Sequence, residues 1–146
     1  MKTTKAKPNP FYSKVLTVLS FVVLTGALVY MANGMGWLNS FQGIESLSPA
    51  QAQAKLAQPG VVLVDVRTAQ EYAGGHIAGS VLIPLDDLER QAGGLLPDRN
   101  APLVVYCHSG RRSQKAIGIL KSMGYTKLAN LDGGISNWQA QGLPVQ

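Results

Sequence analysis

Residues 61–66 (VVLVDV) and 103–106 (LVVY) are short apolar runs without alternation, and each is followed by a segment with helical spacing. A strand with one face in water alternates apolar and polar side chains, whereas a strand covered on both faces reads as a continuous apolar run. Such strands need helices on both sides of their sheet, and helices between consecutive strands make the sheet parallel. The chain is therefore expected to contain an α/β domain of three layers, a central parallel sheet flanked by helices.

The remaining signals fit that plan. Ser48-Pro49-Ala50-Gln51 has the pattern of a helix start, with Ser as N-cap, Pro in the first position and Gln three residues on for a capping box. This helix is expected to reach residue 57, before Pro59-Gly60. A short helix over 69–72, an apolar strand over 81–83 and a helix over 85–91 come next, with Gly93-Gly94 and Pro97 read as a loop. In 112–123, Ala116, Ile117, Ile119, Leu120 and Met123 recur at three- and four-residue spacing, and Gly124 stands where a helix ends. A weaker strand over 127–131, a turn at Asp132-Gly133-Gly134 and a helix over 135–141 that buries Trp138 complete the domain.

The N-terminal part differs in kind. Lys2, Lys5, Lys7 and Lys14 form a basic tail over residues 1–14, and no charged residue occurs between Lys14 and Glu45. Residues 15–32 (VLTVLSFVVLTGALVYMA) would span roughly 27 Å as a helix, close to the ~30 Å of a bilayer core. Phe11, Tyr12 and Trp37 are placed as interfacial aromatics. Residues 15–38 are thus expected to form a transmembrane helix or signal anchor. Cleavage as a signal peptide is the less favoured reading, because the apolar core is long and Ala32-Asn33-Gly34 is a poor small-x-small site. With lysines before the span and none after it until Lys55, the tail should remain cytoplasmic and the domain should be exported, to the periplasm in a bacterium. Residues 39–46 read as a linker and 47–146 as the folded domain.

Outside the tail, nine Lys and Arg stand against eight Asp and Glu. The sequence pI near 9.5 therefore belongs to the tail, and no nucleic-acid partner is expected. Cys107 is the single cysteine, which excludes an intramolecular disulfide and a cysteine-based metal cluster. Neither a metal nor a cofactor is expected.

That cysteine begins the run Cys107-His108-Ser109-Gly110-Arg111-Arg112, between a strand and a helix. In open parallel sheets ligands bind beyond the carboxyl ends of strands. Main-chain N–H groups of such a turn, the helix N-terminus and nearby guanidiniums all favour a thiolate over a thiol. An inert core cysteine would gain nothing from Gly110, Arg111 and Arg112 directly after it. Asp65-Val66-Arg67, at the end of another strand, lies at the same edge of the sheet.

Taken together and in order, DVR (65–67), EYAGGHIAGSVLIP (71–84), CHSGRRS (107–113), DGGISNW (132–138) and GLP (142–144) resemble the rhodanese family of sulfurtransferases over about residues 46–146. The resemblance implies a rhodanese-like domain, here preceded by one transmembrane helix. It further implies that a Cys107 thiolate takes sulfane sulfur from a small donor such as thiosulfate and passes it, as a persulfide, to a thiol or cyanide. A protein acceptor is also open. The implied loop for binding substrate and stabilising the sulfur comprises His108, Ser109, Gly110, Arg111, Arg112 and Ser113, with Asp65 and Arg67 as supporting residues. Arg112 would close the loop and Arg111 would face outward to receive an anionic donor.

Phosphatases and arsenate reductases of the same fold carry a Cys-x5-Arg loop, one residue longer than Cys107-x4-Arg112. The shorter loop favours a single sulfur atom over a tetrahedral oxyanion. A non-turnover persulfide carrier or an anion-binding interaction module is the alternative from another class. His76 reads as a local turn-holding residue, Glu71 as a pairing or capping residue, and Trp138 with Gly133-Gly134 as structural. Asp86, Asp87 and Glu89 read as a solvated helix face.

Overall fold

The computed structural model describes residues 44–146. The basic tail over 1–14, the expected membrane span over 15–38 and most of the expected linker over 39–46 lie outside the described residues. Among the described residues no helix is long and apolar enough to cross a membrane.

Five strands form one parallel sheet: β1 (Glu45–Leu47), β2 (Val62–Asp65), β3 (Val81–Leu82), β4 (Leu103–Tyr106) and β5 (Leu128–Leu131), in the order β1-β5-β4-β2-β3. The continuous apolar run of β4 is central, pairing Val62 with Leu103 through Asp65 with Tyr106 on one side and Leu103 with Leu128 on the other. All four of its residues are buried. Helices α3 (Leu88–Leu95) and α4 (Arg111–Ser122) cover one face, where Leu88, Ala92, Ile117 and Leu120 pack with Val64, Val105 and Cys107. Helices α1 (Pro49–Leu56) and α5 (Gly134–Ala140) cover the other, where Ala52, Ile135 and Trp138 pack with Leu63, Val104, Tyr106 and Leu131. The short α2 (Ala69–Ala73) follows β2. The three layers expected from the apolar runs are thus present, each face of the sheet having its own apolar cluster.

The cap signals act as read. Ser48 Oγ accepts the Gln51 N–H at 3.3 Å while Gln51 Oε1 accepts the Ser48 N–H at 2.9 Å, and Pro49 opens α1. Trp138 is buried and donates its ring N–H to Pro144 O at 3.0 Å. His76 holds its turn locally, with Nδ1 3.1 Å from Tyr72 O and its ring stacked on that of Tyr72.

Two expectations need correction. The end of the region read as connecting sequence is the edge strand β1, which pairs Glu45 with Ala129 through Leu47 with Leu131. Its sequence carries no period because only Leu47 of its three residues is buried. Gly93 and Gly94, read as a loop, lie within α3. Burial of Leu88, Ala92 and Leu96 at four-residue spacing overrides the low helix propensity of glycine, and Tyr125 Oη satisfies carbonyls at the helix end, 3.1 Å from Ala92 O and 2.7 Å from Leu96 O. Both glycines are exposed, and a Cβ on either would meet nothing within 4 Å. Gly93→Ala and Gly94→Ala are each expected to stabilise the domain by about 0.5–1 kcal/mol, read as a higher thermal midpoint.

Candidate active site

Cys107 is the first residue beyond β4, at the carboxyl end of the central strand, and is 1% exposed. The chain turns within three residues to enter α4. Gly110, the N-cap, makes this turn in the left-handed region with φ 99°, where residues with a Cβ are strained. The turn brings the Gly110 N–H to 3.1 Å from Cys107 Sγ. From the first turn of α4, Ser113 Oγ reaches to 3.6 Å from the same sulfur. Ser113 Oγ also lies 2.9 Å from Gly110 O and against Asn130 Oδ1 of β5, so its position is fixed from three sides.

Burial pushes the Cys107 thiol up, but the Ser113 hydroxyl and the main-chain N–H groups of Ser113, Ser109 and Gly110 more than offset it, leaving the thiol below its ordinary value. The balance follows from donors that recognise the charged sulfur. His108, Ser109 and Arg111 of the loop are exposed, whereas Cys107 is buried. His108 Nε2 lies 3.2 Å from Ser136 Oγ of α5.

The two loop arginines occupy different environments. Arg112 forms a two-pronged pair with Glu71 of α2, Nη1 to Oε2 at 2.7 Å and Nη2 to Oε1 at 2.6 Å. Arg111 is exposed and has no partner among the described residues. Glu71 also serves the α2 cap, accepting the Thr68 N–H at 3.0 Å. Hydrogen bonding from Arg112, opposed by partial burial and aided by Thr68, lowers the Glu71 carboxyl from 4.5 to about 2. A carboxyl lowered on folding contributes stability above its unfolded value, lost as pH falls through its folded value. Glu71→Gln is therefore expected to cost about 1 kcal/mol at neutral pH, the upper range for a partly exposed pair of this geometry. The difference from the parent should disappear as pH falls from 4.5 towards 2; urea melts across that range check it.

Asp65 and Arg67 pair with each other, and Arg67 ties them to backbone carbonyls of the segment that carries Glu71. Both are buried, and Arg67 donates to Asp65 through its main-chain N–H at 2.9 Å, Nε at 3.0 Å and Nη2 at 2.7 Å. Arg67 Nη2 also donates to Gly75 O at 2.8 Å, and Nη1 approaches Glu71 O at 3.4 Å. Asn130 escaped the sequence reading, although an amide inside an otherwise apolar strand signals a buried polar contact near the sheet edge.

A buried, hydrogen-bonded thiol beyond the central strand of a parallel three-layer domain defines an α/β protein whose candidate site is centred on one cysteine. The family described as "Rhodanese-like domain" matches residues 48–141, and the chain belongs to that family. It is 41% identical over 97 residues to thiosulfate sulfurtransferase GlpE of Pseudomonas fluorescens, covering 64% of this chain and 84% of that protein. It is 40% identical over 76 residues to the putative sulfur carrier protein YrkF of Bacillus subtilis, covering 52% of this chain and 40% of that protein. Among solved structures, the human single-domain sulfurtransferase TSTD1 superposes with a TM-score of 0.60 at 30% identity, over 68% of this chain and 98% of that one. The domain is that of a sulfurtransferase or sulfur carrier, with a sulfur donor and a sulfur acceptor as its substrates.

Proposed function

We propose that the protein is a membrane-anchored thiosulfate sulfurtransferase that works through a persulfide on Cys107. The observation that carries this reading is the sulfur itself, buried beyond β4 and met by the Gly110 N–H and the Ser113 hydroxyl. The thiolate attacks the outer sulfur of thiosulfate. The S–S bond of the donor breaks, sulfite leaves with the electron pair, and Cys107 carries a persulfide anion. An acceptor thiolate or cyanide then attacks the outer sulfur and returns Cys107 to the thiolate. Negative charge sits on sulfur before and after each step, so fixed main-chain donors serve both states without reorganisation. Arg112 is occupied by Glu71, which leaves Arg111 to receive the anionic donor.

The likeness to YrkF supports a second reading, in which the loop holds the persulfide for a partner and does not turn over. Full-length protein given excess thiosulfate and cyanide separates the two. An enzyme forms thiocyanate continuously, whereas a carrier gives a burst no larger than the protein concentration. Hydrolysis of a generic aryl phosphate at a comparable rate would contradict both.

The charge-free stretch between Lys14 and Glu45, with four lysines before it, supports a single-pass anchor in a bacterial inner membrane with the domain in the periplasm. Cys107 would there meet an oxidising compartment without a second cysteine to resolve mixed disulfides, so a low-molecular-weight thiol or reductant must be supplied to it. A C-terminal alkaline phosphatase fusion should be active. An inactive phosphatase fusion alongside a glowing C-terminal fluorescent fusion would place the domain in the cytoplasm.

A further inference from the structure

The turn after β5 packs its backbone directly on the backbone of the sulfur loop. The Ile135 N–H donates to Cys107 O at 2.9 Å and the Ser136 N–H to His108 O at 3.1 Å. Gly134 makes this approach possible: at φ +60°, a Cβ there would lie 2.4 Å from Cys107 O and 2.6 Å from His108 O. The preceding residue is equally constrained, because a Cβ on Gly133 would lie 2.5 Å from Asn137 Cβ. Asn137 Nδ2 in turn donates to Asp132 O at 3.0 Å.

The His108 carbonyl and the Ser109 N–H belong to one planar trans peptide unit and point in opposite directions. Holding the carbonyl against Ser136 therefore aims the Ser109 N–H the other way, into the loop, where it is one of the main-chain N–H groups that lower the Cys107 thiol, next to the Gly110 N–H that lies 3.1 Å from the sulfur. If that peptide turned over, the same unit would present a carbonyl oxygen to an anion. We propose that the Ser136 main-chain N–H, brought within reach by Gly134, is a positioning group that locks the His108–Ser109 peptide with its N–H towards Cys107. This deepens the sulfur-transfer reading and rests on it only in taking Cys107 as the nucleophile.

The test follows the rate of iodoacetamide alkylation against pH on the full chain in detergent, Cys107 being the single cysteine. Ser136→Pro removes the N–H at a first-turn position with no intrahelical bond to lose. It should move the alkylation midpoint upward by about half to one pH unit, a roughly three- to tenfold loss of thiolate at neutral pH. Ser136→Ala keeps the N–H and should restore the parental midpoint, and Gly134→Ala should shift it in the same direction as Ser136→Pro. A folded Ser136→Pro or Gly134→Ala protein with the parental midpoint would overturn the proposal.

Should neither variant fold, the unsubstituted full chain decides. Its Ser109 amide resonance should titrate with Cys107, and its Ser136 amide should be protected from hydrogen exchange. A Ser109 amide that ignores the titration, or an unprotected Ser136 amide, would overturn the proposal. The expected profiles in a protein that transfers no sulfur would uphold the positioning role and refute the transferase reading.

Discussion

Cys107→Ser is expected to abolish thiocyanate formation from thiosulfate and cyanide, down to the rate without protein, while the fold persists. The exchange replaces a thiol that the loop holds below its ordinary value with a hydroxyl that no arrangement of a few hydrogen bonds ionises near neutral pH. Oxygen at that position also has no stable state analogous to a persulfide. The donors around the site suit a serine hydroxyl: the Gly110 N–H can still find an acceptor and Ser113 remains anchored by Gly110 O and Asn130. The stability change should therefore stay within about 1 kcal/mol, and melting of the two proteins checks that activity alone is lost. Because the chain has no other cysteine, parental activity in a folded Cys107→Ser protein would rule out the persulfide route.

The largest effect on stability is expected from Asp65→Ala. The side chains of Asp65 and Arg67 are 0% and 5% exposed, and Asp65 supplies Arg67 with its anionic partner. Burial opposes the charge on Arg67, and hydrogen bonding and attraction from Asp65 more than compensate, so its affinity for the proton is raised. With the carboxylate removed, the guanidinium keeps the Gly75 and Glu71 carbonyls and the face of the Tyr106 ring, 5.6 Å from its centre. Those contacts do not neutralise a buried charge. Breaking such a pair from one side costs about 3–5 kcal/mol, a large part of the 5–15 kcal/mol typical of a whole domain. The thermal midpoint should fall by roughly 15 °C or more.

The double variant Asp65→Ala/Arg67→Met removes the charge together with its partner and should recover much of the loss. An Asp65→Ala protein that melts like its parent would show that water reaches Arg67 and that the pair is not a closed contact. Activity of the double variant separates support from chemistry. If Asp65 and Arg67 act only by holding the Glu71 segment, it should transfer sulfur at temperatures where it is folded.

The sheet was legible because β2 and β4 are buried on both faces and so lack alternation, and because Ser48, Pro49 and Gln51 mark one helix start by local chemistry alone. β1 was not, since a three-residue edge strand with one buried side chain leaves no period and depends on β5, far along the chain, for its pairing. Gly93 and Gly94 misled for the opposite reason: their local propensity is clear, and packing of α3 overrides it. At the candidate site, the spacing from Cys107 to Arg112 conveys the loop, but the partner of Arg112 lies 41 residues away at Glu71. The contact from Ser113 to Asn130 likewise spans 17 residues. The grip of Ile135 and Ser136 on the loop is made by main-chain atoms, and its only trace in the sequence is the adjacent pair Gly133-Gly134.

The most direct test of the persulfide on Cys107 is the intact mass of the full-length protein after incubation with thiosulfate. The protein should gain the mass of one sulfur atom, mapped to Cys107, and lose it on addition of cyanide with formation of one equivalent of thiocyanate. An unchanged mass at Cys107 under conditions in which thiocyanate still forms would contradict the account.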